Sequence, residues 1–231
     1  LLVGSETKPD DLKPKDLVVY SDGGSLPGSG YTGWGCFSEV KTDKDVYHVM
    51  KYGGMQAPST NQAAELKGAI EAFTLANELK PKTFKLKSDS KYVIDGITKY
   101  YDRWKQNGYL NSQGKPIANK ELWNTFKDVT KETIKEGISY KLEWVKGHSG
   151  VVGNEWADKL ATLGVACSSR NDVKGYHISY TKEKRDDGVE NVGTKKAPKR
   201  KFDYNRLHIH DFLYFKLGDN FEKGEDGLHT Y

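Results

Sequence analysis

Asp22, Glu65, Asp89 and Asp158 are the residues from which chemistry could be built, because strand tips, a helix start and a helix face each supply a carboxylate. Asp22 lies near the end of the stretch LVVYSDGG, in which residues 17–20 read as a short buried strand and the pair Gly23-Gly24 ends it. Under period-2 alternation Asp22 shares a face with Val18 and Tyr20, and the glycines leave room for close approach. Asp89 follows the strand of residues 83–88, Glu65 lies early in a helix, and Asp158 lies on another helix with Glu155 three residues before it. Each acid alone has an ordinary reading. Asp22 could serve a turn, Glu65 a helix dipole, Asp89 an N-cap, and Asp158 a solvated face. Gathered in one place, they would suit hard cations, since Mg²⁺ prefers carboxylate oxygen and water. Two such ions roughly 3.5–4 Å apart can activate water, neutralise a phosphoryl group under attack and stabilise the leaving oxyanion. Phosphodiester hydrolysis is the chemistry that this set of acids could serve.

The elements that would position them can be read in order. Residues 1–16 are polar, with Pro9 and Pro14, and are expected to form a loose leader. The strand ending at Asp22 is followed by strands over residues 34–40 and 45–52, joined by short polar turns into an antiparallel meander. Pro58 and a Ser59-x-x-Gln62 capping box predict a helix start, and Leu66, Ile70, Phe73 and Ala76 give that helix its buried stripe up to Pro81. A helix between the meander and the strand over 83–88 implies a right-handed crossover, hence parallel pairing with the first strand. Residues 91–105 and 119–136 read as helices, 138–145 as a fifth strand, and 154–166 as a last helix with Trp156, Leu160 and Leu163 inward. His148 lies in the Gly-bounded loop GHSG.

At 231 residues, with 36% hydrophobic and 29% charged residues, the chain is expected to be a soluble globular domain with an appendage. No run approaches a membrane span and no signal-peptide pattern is present, so a cytoplasmic protein without membrane contact is expected. Cys36 and Cys167 make neither a metal pattern nor a disulfide framework. A net charge of +4 does not by itself identify a nucleic-acid binder, so any such footprint must be local. Residues 99–115 offer one: Lys99, Arg103, Lys105 and Lys115 interleave with Tyr100, Tyr101, Trp104 and Tyr109, a mixture that suits a duplex backbone. Trp104 could equally pack inward.

SDGGS, STNQAAEL, SDSKYVIDGI, EWVKGHSG and GNEWADKLA, in this order and spacing, resemble the ribonuclease H family of the cellular bacterial and eukaryotic type over residues 17–166. The resemblance implies an α/β ribonuclease H-like fold: a five-stranded mixed sheet, antiparallel meander plus parallel strands, with helices on both faces. It implies Asp22, Glu65, Asp89 and Asp158 as ligands of two Mg²⁺ ions, with Mn²⁺ as a substitute, and His148 as a mobile proton carrier. Thr60, Asn61 and Gln62, at a helix N-terminus, would contact phosphate or ribose 2'-hydroxyls, as would Asn154; Lys99, Arg103, Trp104 and Lys105 would form the basic protrusion that grips the DNA strand. The substrate implied is an RNA/DNA hybrid whose RNA strand is cut, by a monomer. Two other classes compete: a hybrid-binding module that no longer cleaves, and a DNA-directed nuclease or strand-transfer enzyme on the same fold. Metal-dependent turnover separates the first from the enzyme, and substrate choice separates the second.

The resemblance places the domain over 17–169 and leaves 170–231 as a C-terminal extension. Within it residues 176–180 read as an added strand, 186–198 as a mobile polar stretch containing the start of a basic run, and 202–217 as an aromatic segment packed on the core.

Overall fold

The computed structural model describes residues 4–43 and 45–183. The expected polar stretch, basic run and aromatic segment beyond residue 186 lie outside the described residues. The strands are β1 (Gly4–Ser5), β2 (Asp16–Ser25), β3 (Thr32–Lys41), β4 (Val46–Gly54), β5 (Thr83–Ser88), β6 (Ser139–Trp144) and β7 (His177–Glu183). The helices are α1 (Asn61–Leu79), α2 (Lys91–Asp95), α3 (Tyr101–Gln106), α4 (Lys120–Lys135) and α5 (Val152–Ser169), with a π-helical turn, Gly96–Tyr100, between α2 and α3.

The strands form one sheet in the order β1-β7-β4-β3-β2-β5-β6. The β2–β5 and β5–β6 pairs are parallel, as the helical crossovers require, and the other pairs are antiparallel. The sheet therefore has seven strands, where the resemblance implies five. One of the two extra strands is β7, over the stretch read as an added strand. The other is β1, in the leader.

The leader is also more ordered than its polarity suggests. Leu12 is fully buried, the Asp11 carboxylate accepts a hydrogen bond from the Tyr47 hydroxyl at 3.0 Å, and the Lys15 carbonyl accepts from the Lys82 amide at 2.8 Å. One apolar side chain among charges is enough to anchor such a segment when a pocket awaits it.

The alternation along β2 sends successive residues to opposite faces. A side chain at Gly23 would collide with the α1 backbone at Glu65, whereas one at Gly24 would meet Ala161 and Val165 of α5, so the two helices cover opposite faces. The larger core lies under α1 and α4. Its centre is Phe73, whose ring meets Phe84, Phe126 and Tyr140 edge-on at 4.9, 5.2 and 5.1 Å between centroids. On the other face α5 reaches the sheet backbone to backbone. A Cβ at Gly33 would overlap Gly164 and Val165, and one at Gly164 would overlap Gly53, so this approach requires glycine.

One charged group is enclosed beside the core. Lys51 is fully buried, with its ammonium 2.7 Å from Glu71 Oε2. Burial alone would push this lysine down, but Glu71 more than offsets it and holds the ammonium above its ordinary value.

Candidate active site

Strand register brings the first two acids together. In the parallel pair Tyr20 stands opposite Lys87, so Asp22 and Asp89, each two residues further on, emerge side by side just past the parallel pairing. β2 itself does not end at Gly23-Gly24 as expected but runs on to Ser25, because both glycines stay paired with β3. Adjacent strands are about 4.8 Å apart. Crevices at the carboxyl ends of parallel strands are where α/β sheets place ligands.

Asp22 is 8% exposed, and its Oδ1 accepts a hydrogen bond from the Gly23 amide at 2.7 Å. Burial first, then the charge of Asp89, with further contributions from Asp158 and Glu65, pushes its carboxyl from 3.8 up to about 8; the Gly23 amide acts in the opposite sense. The charges of the other three predicted carboxylates are thus all felt at Asp22. Glu65, on the second turn of α1, is likewise raised by burial, opposed by Ser90 and reinforced by Asp89.

Glu65 is held at both oxygens: Asn61 Nδ2 donates to Oε1 at 3.0 Å, and Ser90 Oγ donates to Oε2 at 2.6 Å. Ser90 also caps α2, accepting from the Val93 amide at 3.2 Å. The cap of α2 is therefore Ser90, and Asp89 is released from the capping role that its position suggested. Asp89 Oδ2 accepts from Asn154 Nδ2 at 2.9 Å, and the Asp89 carbonyl accepts from Trp144 Nε1 at 3.0 Å. Asp158 lies half-buried on α5, near enough for its charge to act on Asp22.

The other expected contacts fall into three groups. Thr60, Asn61 and Gln62 are exposed at the start of α1, but Thr60 is the N-cap, accepting from the Ala63 amide at 3.2 Å, one residue after the predicted Ser59. Asn154 is 3% exposed and turned to Asp89, so it faces the acid rather than solvent, and its Oδ1 is buried without a hydrogen-bond partner. His148 stands in the exposed loop between β6 and α5, in a left-handed conformation with φ 49°.

The protrusion keeps its cations outside and its tryptophan largely inside. Lys99 pairs with Asp95 at 2.9 Å, and Lys105 pairs with Asp102 at 2.8 Å. Arg103 is exposed and has no carboxylate within ion-pair reach among the described residues. Trp104 is half-buried against Trp123, 5.1 Å between ring centroids, in keeping with the inward alternative.

Sequence reasoning missed Ser90, Trp144 and the role of Asn154 toward Asp89. All three carried a signal as members of motifs, Ser90 in SDSKYVIDGI, Trp144 in EWVKGHSG and Asn154 in GNEWADKLA, but no motif set them against a particular acid. Trp144 is 45% exposed beside the site, with the Lys91 ammonium 5.6 Å from its ring centroid.

The cluster draws two acids from the neighbouring strands β2 and β5 and one from each of the helices α1 and α5, a set of hard oxygen donors of the kind that suits divalent cations. The sequence profile of the RNase H family matches residues 14–166. The ribonuclease H of Jannaschia sp. is 36% identical over 152 residues, 65% of this chain and 92% of its own length. That of Hahella chejuensis is 38% identical over 152 residues, 65% of this chain and 94% of its own. A crystal structure of a type 1 RNase H with the type 2 active-site motif has a TM-score of 0.57 at 25% identity, covering 69% of this chain and 76% of that one. The chain belongs to the ribonuclease H family, and it is accordingly a nuclease, a hydrolase of phosphodiesters.

Proposed function

We propose that this chain cuts the RNA strand of RNA/DNA hybrids with two Mg²⁺ ions held by Asp22, Glu65, Asp89 and Asp158. The observation that carries the reading is the neighbourhood of Asp22: a carboxyl pushed to about 8 beside three other acids is a cluster that cations would stabilise. The donors are all hard oxygens, which fits Mg²⁺ or Mn²⁺. Such ions supply water activation and charge neutralisation at the phosphorus.

The chain's own residues do the positioning. Ser90 and Asn61 fix both oxygens of Glu65, and Asn154 fixes one oxygen of Asp89, so two acids are aimed before substrate arrives. Asn61, Thr60 and Gln62 lie exposed beside Glu65, where 2'-hydroxyl contacts would select RNA. Lys99, Arg103 and Lys105 hold the other strand by its phosphates. His148, exposed on its loop, carries a proton to or from the reacting oxygens.

Side-by-side digestion of a hybrid, duplex DNA and duplex RNA in Mg²⁺ tests the reading. Only the hybrid should be cut, and only in its RNA strand. Asp89→Asn should bind hybrid and fail to cut it, while His148→Ala should slow cleavage about 10²-fold without abolishing it. Cleavage of duplex DNA, or an Asp89→Asn rate within tenfold of the parent, would overturn the assignment.

A further inference from the structure

A second group of potential ligands lies away from the carboxylates, at the far end of α5. Cys167 sits in the last turn of that helix, 3% exposed, Asp172 in the turn that follows, and His177 opens β7. One donor atom from each, sulfur, oxygen and nitrogen, lies within 4.8 Å of the other two. The backbone holds the three in place. The Asp172 amide donates to the Cys167 carbonyl at 2.9 Å, Asn171 turns the chain back with φ 59°, and His177 stands opposite Tyr52 in the β4–β7 register with the two rings stacked at 4.9 Å. His177 Nε2 and Asp172 Oδ2 are already 3.1 Å apart.

We propose that Cys167, Asp172 and His177 bind one divalent transition metal, Zn²⁺ by chemical class, and that the ion clamps the start of β7 to the end of α5. The donor set argues for the metal. Thiolate and imidazole suit Zn²⁺, whereas Mg²⁺ and Ca²⁺ prefer sites built from oxygen alone. Tetrahedral coordination with ordinary bond lengths sets three such donors roughly 3.3–3.6 Å apart. The nitrogen and oxygen, 3.1 Å apart, already meet that spacing, and any closure is between them and the sulfur, which lies within 4.8 Å. The exposed Asp172 and half-buried His177 can supply that movement by side-chain rotation. Binding replaces the thiol proton, which passes to solvent, and water takes the fourth position. Thiolate, carboxylate and neutral imidazole then balance the charge of the ion.

The site is separate from the nuclease centre. Cys167 lies nine residues beyond Asp158 on the same helix, about 14 Å of helical rise. All three residues also fall after the stretch matched by the family profile, residues 14–166. The competing account is a His177–Asp172 ion pair that fastens the turn without metal.

Cobalt is the probe, because it replaces zinc and absorbs when bound to thiolate. The full chain, stripped with chelator and kept in excess Mg²⁺ to fill the oxygen site, is titrated with Co²⁺. A thiolate-to-cobalt charge-transfer band should rise and saturate at one equivalent, then disappear on adding Zn²⁺. Cys167→Ser and His177→Ala should abolish the band, Asp172→Asn should weaken Co²⁺ binding at least tenfold, and Cys36→Ala should leave it intact. Zn²⁺ should also raise the Tm of the parent by several degrees and leave that of His177→Ala unmoved, a comparison that survives any loss of stability in the Cys167 variant. Absence of the band at excess Co²⁺, or its persistence in Cys167→Ser, would overturn the site and leave the ion pair alone.

Discussion

Asp22 governs how the metal-free protein responds to pH. Its carboxyl stands at about 8 in the folded chain against an ordinary 3.8, so between those values the folded state keeps a proton that the unfolded state has lost. Stability contributed by this group is therefore fully present at low pH and lost as pH rises toward 8, by up to about 1.4 kcal/mol per pH unit. Denaturation midpoints in chelator should fall between pH 5 and 9, and Asp22→Asn should flatten the decline; a variant profile parallel to the parent's would clear Asp22 of the effect. Asn154→Ala should lower kcat/KM about 10- to 100-fold by releasing Asp89, measured under the same hybrid digest. The acids themselves were legible because each follows an apolar alternation: LVVYSD and TFKLKSD both bring a carboxylate to the edge of a buried run, although β2 continues past Asp22 to Ser25. The residues that aim them were not. Ser90 reaches Glu65 across 25 positions and Asn154 reaches Asp89 across 65, and neither hydrogen bond leaves a periodic trace.

At the scale of elements, the π-helical turn decides how the protrusion is presented. A Cβ at Gly96 would strike the Trp123 ring, so the chain passes close over Trp123 there before α3 begins. Trp104 then packs inward while Lys99, Arg103 and Lys105 point outward. Since Lys99 and Lys105 must give up Asp95 and Asp102 to meet phosphate, Arg103→Ala should weaken hybrid binding more than either lysine substitution. Replacing all three should flatten the salt dependence by a slope of about 0.9 for each phosphate no longer neutralised, judged on a B-form duplex scale. Equal affinities at low salt would remove the protrusion from the substrate surface. Its basic and aromatic composition was visible in the sequence, but its phase was not, because a single π turn shifts every following side chain around the helix axis. The cap of α1 slipped by one residue for a related reason: Ser59 and Thr60 are both competent caps, and local pattern does not rank them.

Across the whole molecule, the sheet extends beyond the meander and the parallel strands at the β4 edge, which β7 covers along seven register pairs from Val46↔Glu183 to Tyr52↔His177. An unpaired β4 would offer a row of free backbone groups; β7 satisfies that row and takes the outer position itself, where β1 covers it at Tyr180 and Thr181. The leader's most deeply buried apolar anchor is Leu12. Leu12→Ala should cost about 2–5 kcal/mol, read as a shift in denaturant midpoint without a change in m-value. A shift under about 0.5 kcal/mol would return the segment to the loose leader that its composition suggested. The meander and the parallel pairing of β5 with β2 followed from turn and helix spacing, whereas β1, two residues long, has no pattern to find. Leu12 likewise looked like an isolated apolar residue in a charged stretch until the pocket that receives it was in view.

The glycine contact between α5 and the sheet has one further consequence. Asp158 rides on α5 and Asp22 on β2, and the distance between helix and sheet is set where Gly33 meets Gly164 with no side chain on either. Those two positions act as a spacer of zero thickness. A single methyl group inserted there would work like a shim, lifting one jaw of the site from the other while every acid kept its identity. The gauge of the active site is thus written in missing atoms, at residues with no functional group of their own.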